Sequence, residues 1–247
     1  LEKRRGKKLR PIDCLDIMNI IGAIVVAGNV RRSAQIAIGD PDDVEYLLAK
    51  RWDMGNIPSW RAMSNNSVVC SDTKDLHEYF WDGYEGKGEP YGLINLKLSR
   101  KIGRLGETDY PDPDVMGYNP CAEQSLAAYE TCCLAEVYLP NIESKDELLD
   151  VCKILYRINK HSLALPCHLK ETEDIVHKNM RMGIGVTGVL QATEEQRSWL
   201  NETYRRLREF DFKYSHEHGF PESVKLTTVK PSGTLSLLPG VTSGCHP

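Results

Sequence analysis

What this sequence lacks narrows its chemistry before any motif is read. It has no C-x-x-C pair, and no H-x-x-x-H lies near its cysteine cluster, so an ordinary zinc site and a thioredoxin-like dithiol are both disfavoured. Its most apolar run, "IIGAIVVAG" (Ile20–Gly28), is too short to cross a bilayer. The net charge of -4 carries no global nucleic-acid signal. Six basic residues crowd the opening "LEKRRGKKLR", yet Asp13 and Asp16 interrupt the apolar stretch behind them. A solvated basic face fits that start better than a signal peptide. Repeats, low-complexity tracts and a convincing linker are all missing. Residues 1–247 are therefore read as one domain-sized piece, and a start at Leu1 without methionine as part of something longer.

What is present is an alternation of strands and helices, which argues for an α/β architecture. Helices are expected over 11–28 and in "DDVEYLLAKR". Strands are expected from Ser33 to Ile38, at the end of "MGNIPSWRAMSNNSVV" and in "YGLINLKLS". The Gly- and Pro-bearing loop "GRLGETDYPDPDVMGY" follows. Ser144 with Glu147, and Thr193 with Gln196, are capping-box patterns that open two further helices. "VKLTTVKPSGTLSLLPG" reads as a strand, a turn at Pro231–Gly233 and a resumed apolar run.

Eight cysteines without a secretory signal indicate thiols in a reducing compartment, the cytoplasm. Cys14, Cys70 and Cys152 have apolar neighbours and read as small buried hydrophobes. Three others cluster in "GYNPCAEQSLAAYETCCLAEV": Cys121, Cys132 and Cys133. "GIGVTG" (Gly183–Gly188) matches a dinucleotide fingerprint by letter. The charged, helix-like "DIVHKNMRM" before it does not, so close backbone packing is the better explanation of these glycines. "KPSGTLS" (Lys230–Ser236) offers successive backbone N–H groups and the Ser232 and Thr234 hydroxyls, an arrangement suited to phosphate oxygens.

Together "NPCAEQSL", the cysteine eleven residues after Cys121, "GNVRRSAQIAIG" and "TTVKPSGTLSLLPGVTSG" resemble ribonucleotide reductases. The likeness is greatest to the monomeric, adenosylcobalamin-dependent (class II) ribonucleoside-triphosphate reductases, the "KPSGTLS" form favouring the triphosphate branch. The resemblance implies part of a ten-stranded α/β barrel, with a central finger loop carrying the radical cysteine. It implies radical reduction of a ribonucleoside triphosphate to its 2′-deoxy form for DNA synthesis, with adenosylcobalamin as cofactor and a thioredoxin-type reductant. Cys121 would carry the thiyl radical. Glu123 would be the general base on the 3′ hydroxyl, and Asn119 would hold the same hydroxyls. On a strand-like tip these three would point to one side. Cys132 would be one of two reducing cysteines, with Cys133 a packing neighbour. The turn Ser232, Gly233, Thr234 and Leu235 would cradle the substrate phosphates. No metal site is expected, nor direct nucleic-acid or membrane contact.

Only Cys14 precedes "GNVRRSA", too close to be the partner of Cys132. The amino-terminal part with that partner and the allosteric effector site, and the carboxy-terminal cysteine pair, are expected from other segments. The isolated piece should then leave apolar surface exposed and should not turn over. A diphosphate-using or metal-radical reductase, and a catalytically incomplete half of a split reductase, are the alternatives.

Overall fold

The computed structural model describes residues 2–30, 32–104 and 110–246, which fall into two compact units. The first comprises 1–100 with 117–122, the second 101–116 with 123–247. The loop expected over 103–118 lies partly, at 105–109, outside the described residues.

In the first unit α1 (Pro11–Val26) opens with proline at its first helical position, where the missing N–H costs nothing. Strand β1 (Gln35–Gly39) follows. The helix expected over 42–51 is only α2 (Val44–Leu47): Asp43 caps it, and the chain then turns into the short strand β2 (Lys50–Arg51). After β3 (Ser64–Val69) come α3 (Glu78–Asp82), β4 (Gly88–Glu89), which pairs with β2, and β5 (Gly92–Ile94). The strand expected over 91–99 ends there. Asn95 accepts the Leu98 N–H at 2.8 Å, and that cap turns the remainder into α4 (Leu96–Lys101). Strands β1, β3 and β5 form a parallel sheet with β3 central. Its core gathers Ile12, Leu15, Tyr46, Leu47, Val68 and Phe80. Met18, Ile21 and Ile24 of α1 stay exposed.

The strands β6 (Val115–Tyr118) and β7 (Ser125–Ala127) pair and flank residues 119–124. The second unit then runs β8 (Leu134–Tyr138), α5 (Lys145–Leu163), α6 (Lys170–Asn179), β9 (Gly183–Thr187), α7 (Glu194–His218) and β10 (Thr227–Thr228). Ser144 Oγ accepts the Glu147 N–H at 3.2 Å, and Thr193 and Gln196 complete a reciprocal capping box, so both expected helix starts are where the sequence places them. β8, β9 and β10 are parallel with β9 central, joined by helical crossovers. Val137 and Ile184 pack with Leu148, Cys152 and Leu207 of α5 and α7. Alternation turns Glu136, Gly183, Gly185, Thr187 and Thr228 to the sheet's other face. The architecture is α/β, as expected, and neither three-stranded sheet is by itself a barrel. Among the described residues no helix is long and apolar enough to cross a membrane.

Candidate functional site

The boundary between the units falls between Ala122 and Glu123, so Asn119 and Cys121 belong to the first unit and the other candidate residues to the second. The strand-like tip expected for 119–123 is instead a turn. Ala122 N–H donates to Asn119 O at 2.8 Å, and Pro120 occupies the second turn position, which its ring geometry favours. Asn65 Nδ2 donates to Pro120 O at 3.0 Å and fastens the turn. Asn119 is buried, Ala122 takes a left-handed φ of 60°, and Cys121 is exposed. The turn therefore presents a thiol from a constrained backbone.

Glu123 lies over the open face of the second unit's sheet, where its carbonyl accepts from Thr228 Oγ1 at 2.7 Å. Its carboxylate oxygen Oε2 is buried with no hydrogen-bond partner among the described residues. Such an acceptor is costly unless a ligand or water satisfies it. Beside it, Gln124 Oε1 would sit 2.3 Å from a Cβ at Gly183. Close packing, and no nucleotide fingerprint, thus accounts for the glycine that opens "GIGVTG".

Cys132 is exposed and Cys133 half-buried. Cys133 packs against the helix-side core, with Sγ 4.0 Å from Asn159 O. Cys132 lies two residues before β8. Burial pushes the Cys133 thiol above its ordinary range, helped by the neighbouring Cys132; burial alone lifts Cys152 to about 11. Because the thiolate is the reactive form, iodoacetamide should alkylate Cys132 at least ~10-fold faster than Cys133 near pH 8. Fragment-ion mass spectrometry of the shared peptide reads that ratio, and equal rates would contradict the assignment of Cys133 to packing.

Three residues that sequence reasoning missed hold this loop. Arg181, fully buried, makes a two-pronged ion pair with Asp112 at 2.6 and 3.0 Å, and its Nε lies 3.0 Å from Glu130 Oε2. Glu130 also accepts the Ala127 N–H at 2.7 Å and Asn179 Nδ2 at 2.9 Å. It sits two residues before Cys132, so the buried cluster fixes the approach of that cysteine. Burial, with the charge of Arg181 second, lowers the pKa of the adjacent Lys225. No local pattern signalled the cluster, because its members are spread from 112 to 225.

After β10 the run expected to resume as apolar chain closes into a 3₁₀ turn, Leu235–Leu237. Ser232 takes a φ of 50°, and its buried Oγ lacks a hydrogen-bond partner among the described residues. A Cβ on Gly233 would meet open space. The Ser232–Leu235 stretch thus leads into the N–H end of the 3₁₀ turn, next to an unsatisfied hydroxyl. No group of three or more His, Cys, Asp or Glu among the described residues is arranged to hold a metal ion.

No family model matches the chain. The adenosylcobalamin-dependent ribonucleoside-triphosphate reductase of Euglena gracilis is 37% identical over 98% of the chain and 34% of its own length. That of Lactobacillus gasseri is 35% identical over the whole chain and 37% of its own length. A crystal structure of a B12-dependent, class II ribonucleotide reductase superposes with a TM-score of 0.81 at 30% identity, covering 98% of this chain and 37% of that one. Over its whole length the chain is similar to adenosylcobalamin-dependent, class II ribonucleotide reductases, and it spans about a third of the length of the curated relatives it matches.

Proposed function

We propose that residues 1–247 form part of the catalytic barrel domain of a cytoplasmic ribonucleotide reductase, acting on ribonucleoside triphosphates. The observation that carries this reading is the Asn119–Ala122 turn. It presents an exposed Cys121 two residues before Glu123, whose buried carboxylate oxygen lacks a partner. Those two residue types at that spacing in the sequence suit a hydrogen-abstracting thiol and a base.

In this reading the Cys121 thiyl takes the 3′ hydrogen of the ribose, in a nearly balanced exchange between S–H and C–H bonds. Glu123 accepts the 3′ hydroxyl proton through Oε2, and Asn119 holds the hydroxyls. Water leaves from the 2′ carbon. Cys132 and a partner thiol outside this chain deliver two electrons and their protons to the sugar and end as a disulfide. Cys121 then returns the hydrogen to the 3′ carbon and regains its radical. The disulfide is reopened by a thioredoxin-type reductant. The Ser232–Leu235 turn holds the phosphates. Adenosylcobalamin, when bound, supplies the radical chemistry that oxidises a thiol, and the exposed Cys121 is the residue of this chain suited to receive it. The remaining segments of the reductase complete the barrel, the effector site and the re-reducing cysteine pair.

The test is the full-length protein incubated with a ribonucleoside triphosphate, adenosylcobalamin and a dithiol. Deoxynucleoside triphosphate should form, and should not form when the cofactor is left out. Equal activity without adenosylcobalamin would favour a metal-radical reductase, and preference for the diphosphate would correct the substrate.

A further inference from the structure

On the open face of the second unit's sheet, one ion pair has no part in the chemistry above. Lys230, the residue before Pro231 and the phosphate turn, lays its stem over β9, where a Cβ on Gly185 would come within 3.3 Å of Lys230 Cγ. Its backbone is equally confined: a Cβ on Gly244 would lie 2.2 Å from Lys230 O. The ammonium reaches toward Glu136 of β8, with Nζ 4.0 Å from Oε1, near enough to attract but too far for a hydrogen bond. Glu136 Oε1 has a weak contact from Thr187 Oγ1 at 3.4 Å. Its side chain is 5% exposed, and Oε2 has no hydrogen-bond partner among the described residues. This is an ammonium aimed and largely desolvated, at 20% exposure, but not closed onto its counter-ion.

The 4.0 Å gap and the unsatisfied Glu136 Oε2 leave this pair room for a further polar partner. The amides of the adjoining turn are neutral donors, whereas nucleotide phosphates carry several negative charges, and a fixed ammonium supplies what those amides lack. We propose that Lys230 is the charge anchor of the phosphate turn: oriented across Gly185 by Glu136, it contacts the polyphosphate of the nucleotide held by Ser232–Leu235. This rests on the reading of that turn as the substrate's phosphate site.

The experiment is equilibrium dialysis of a ribonucleoside triphosphate against the full-length reductase without reductant or cofactor, followed by steady-state kinetics. One charge-assisted contact corresponds to roughly a ten- to hundred-fold weakening in Lys230→Met. The loss should appear in Kd and KM rather than kcat, and Lys230→Arg should recover most of it. Glu136→Gln, which frees the ammonium, should weaken binding by a smaller factor, about three- to tenfold. Binding by Lys230→Met within twofold of wild type, or a fall in kcat with Kd unchanged, would overturn the proposal. Tighter binding by Glu136→Gln would remove Glu136 as the orienting residue. Wild-type protein that binds no ribonucleotide would instead count against the turn as a phosphate site, so the two failures are distinguishable.

Discussion

Cys121→Ser in the full-length reductase is expected to abolish both deoxynucleotide formation and release of tritium from the ribose 3′ position. The substitution keeps size, turn geometry and exposure, since the Asn119–Ala122 hydrogen bond and the Asn65 contact involve backbone atoms of the turn and not the sulfur. What changes is the bond the residue must make and break. An S–H bond is close in strength to the ribose C–H bond, whereas an O–H bond is stronger, so the serine cannot be oxidised to a usable radical. Each 1.36 kcal/mol added to a barrier slows a step tenfold, so a mismatch of only about 4 kcal/mol loses about a thousandfold. Cys132→Ser should behave differently. It leaves hydrogen abstraction intact and removes one of the two reducing thiols, so tritium release should persist while turnover to deoxynucleotide stops. If Cys132→Ser also silenced tritium release, or Cys121→Ser retained it, the division of labour between the two sulfurs would be wrong.

That division is what the sequence resemblance implies for Cys121 and Cys132, and the geometry around them was legible only in part. Capping chemistry is local, so Ser144 and the Thr193–Gln196 box announced α5 and α7 correctly. Asn119–Pro120 is equally local and favours a turn; the period-two reading of 119, 121 and 123 passed over that signal. β8 went unnoticed because Leu134–Tyr138, with Glu136 its one charged residue, lacks the polar–apolar alternation that marks a strand. Asn95 divided an apparently continuous strand through one side-chain hydrogen bond. The residues that sequence could not yield are those whose meaning is tertiary. Arg181 acquires its role from Asp112 and Glu130, and Glu136 from a lysine that reaches it across a glycine on the strand between them.

The second large effect lies in the core of the second unit, at Lys160 of α5 and Asp211 of α7, both with fully buried side chains. Lys160 Nζ donates to Pro221 O at 2.6 Å, to Ser223 Oγ at 3.0 Å and to Asp211 Oδ1 at 3.2 Å. Asp211 further accepts from Tyr156 Oη at 2.8 Å and from the Ser223 N–H at 3.0 Å. The cluster ties α5, α7 and the segment after α7 together. Burial lowers the Lys160 pKa, and the charge and hydrogen bond of Asp211 oppose that fall. Removing one member strands the other in a low-dielectric interior, a loss of roughly 3–5 kcal/mol. Lys160→Met should fall at the lower end, because Tyr156, Ser223 and Arg208 still donate to the carboxylate. Asp211→Leu should fall at the upper end, because it leaves an ammonium with neutral partners only. The double variant Lys160→Met, Asp211→Leu should recover part of the loss, since neither member of the fully buried pair remains charged and Arg208, which loses Asp211, keeps Glu222 at 3.8 Å. Hydrogen exchange of the α5 and α7 amides in the full-length protein resolves this region from the rest. Protection should drop sharply in each single variant and return in the double. Additive losses in the double would mean that packing between the two helices, and not the charge pair, carries the stability there.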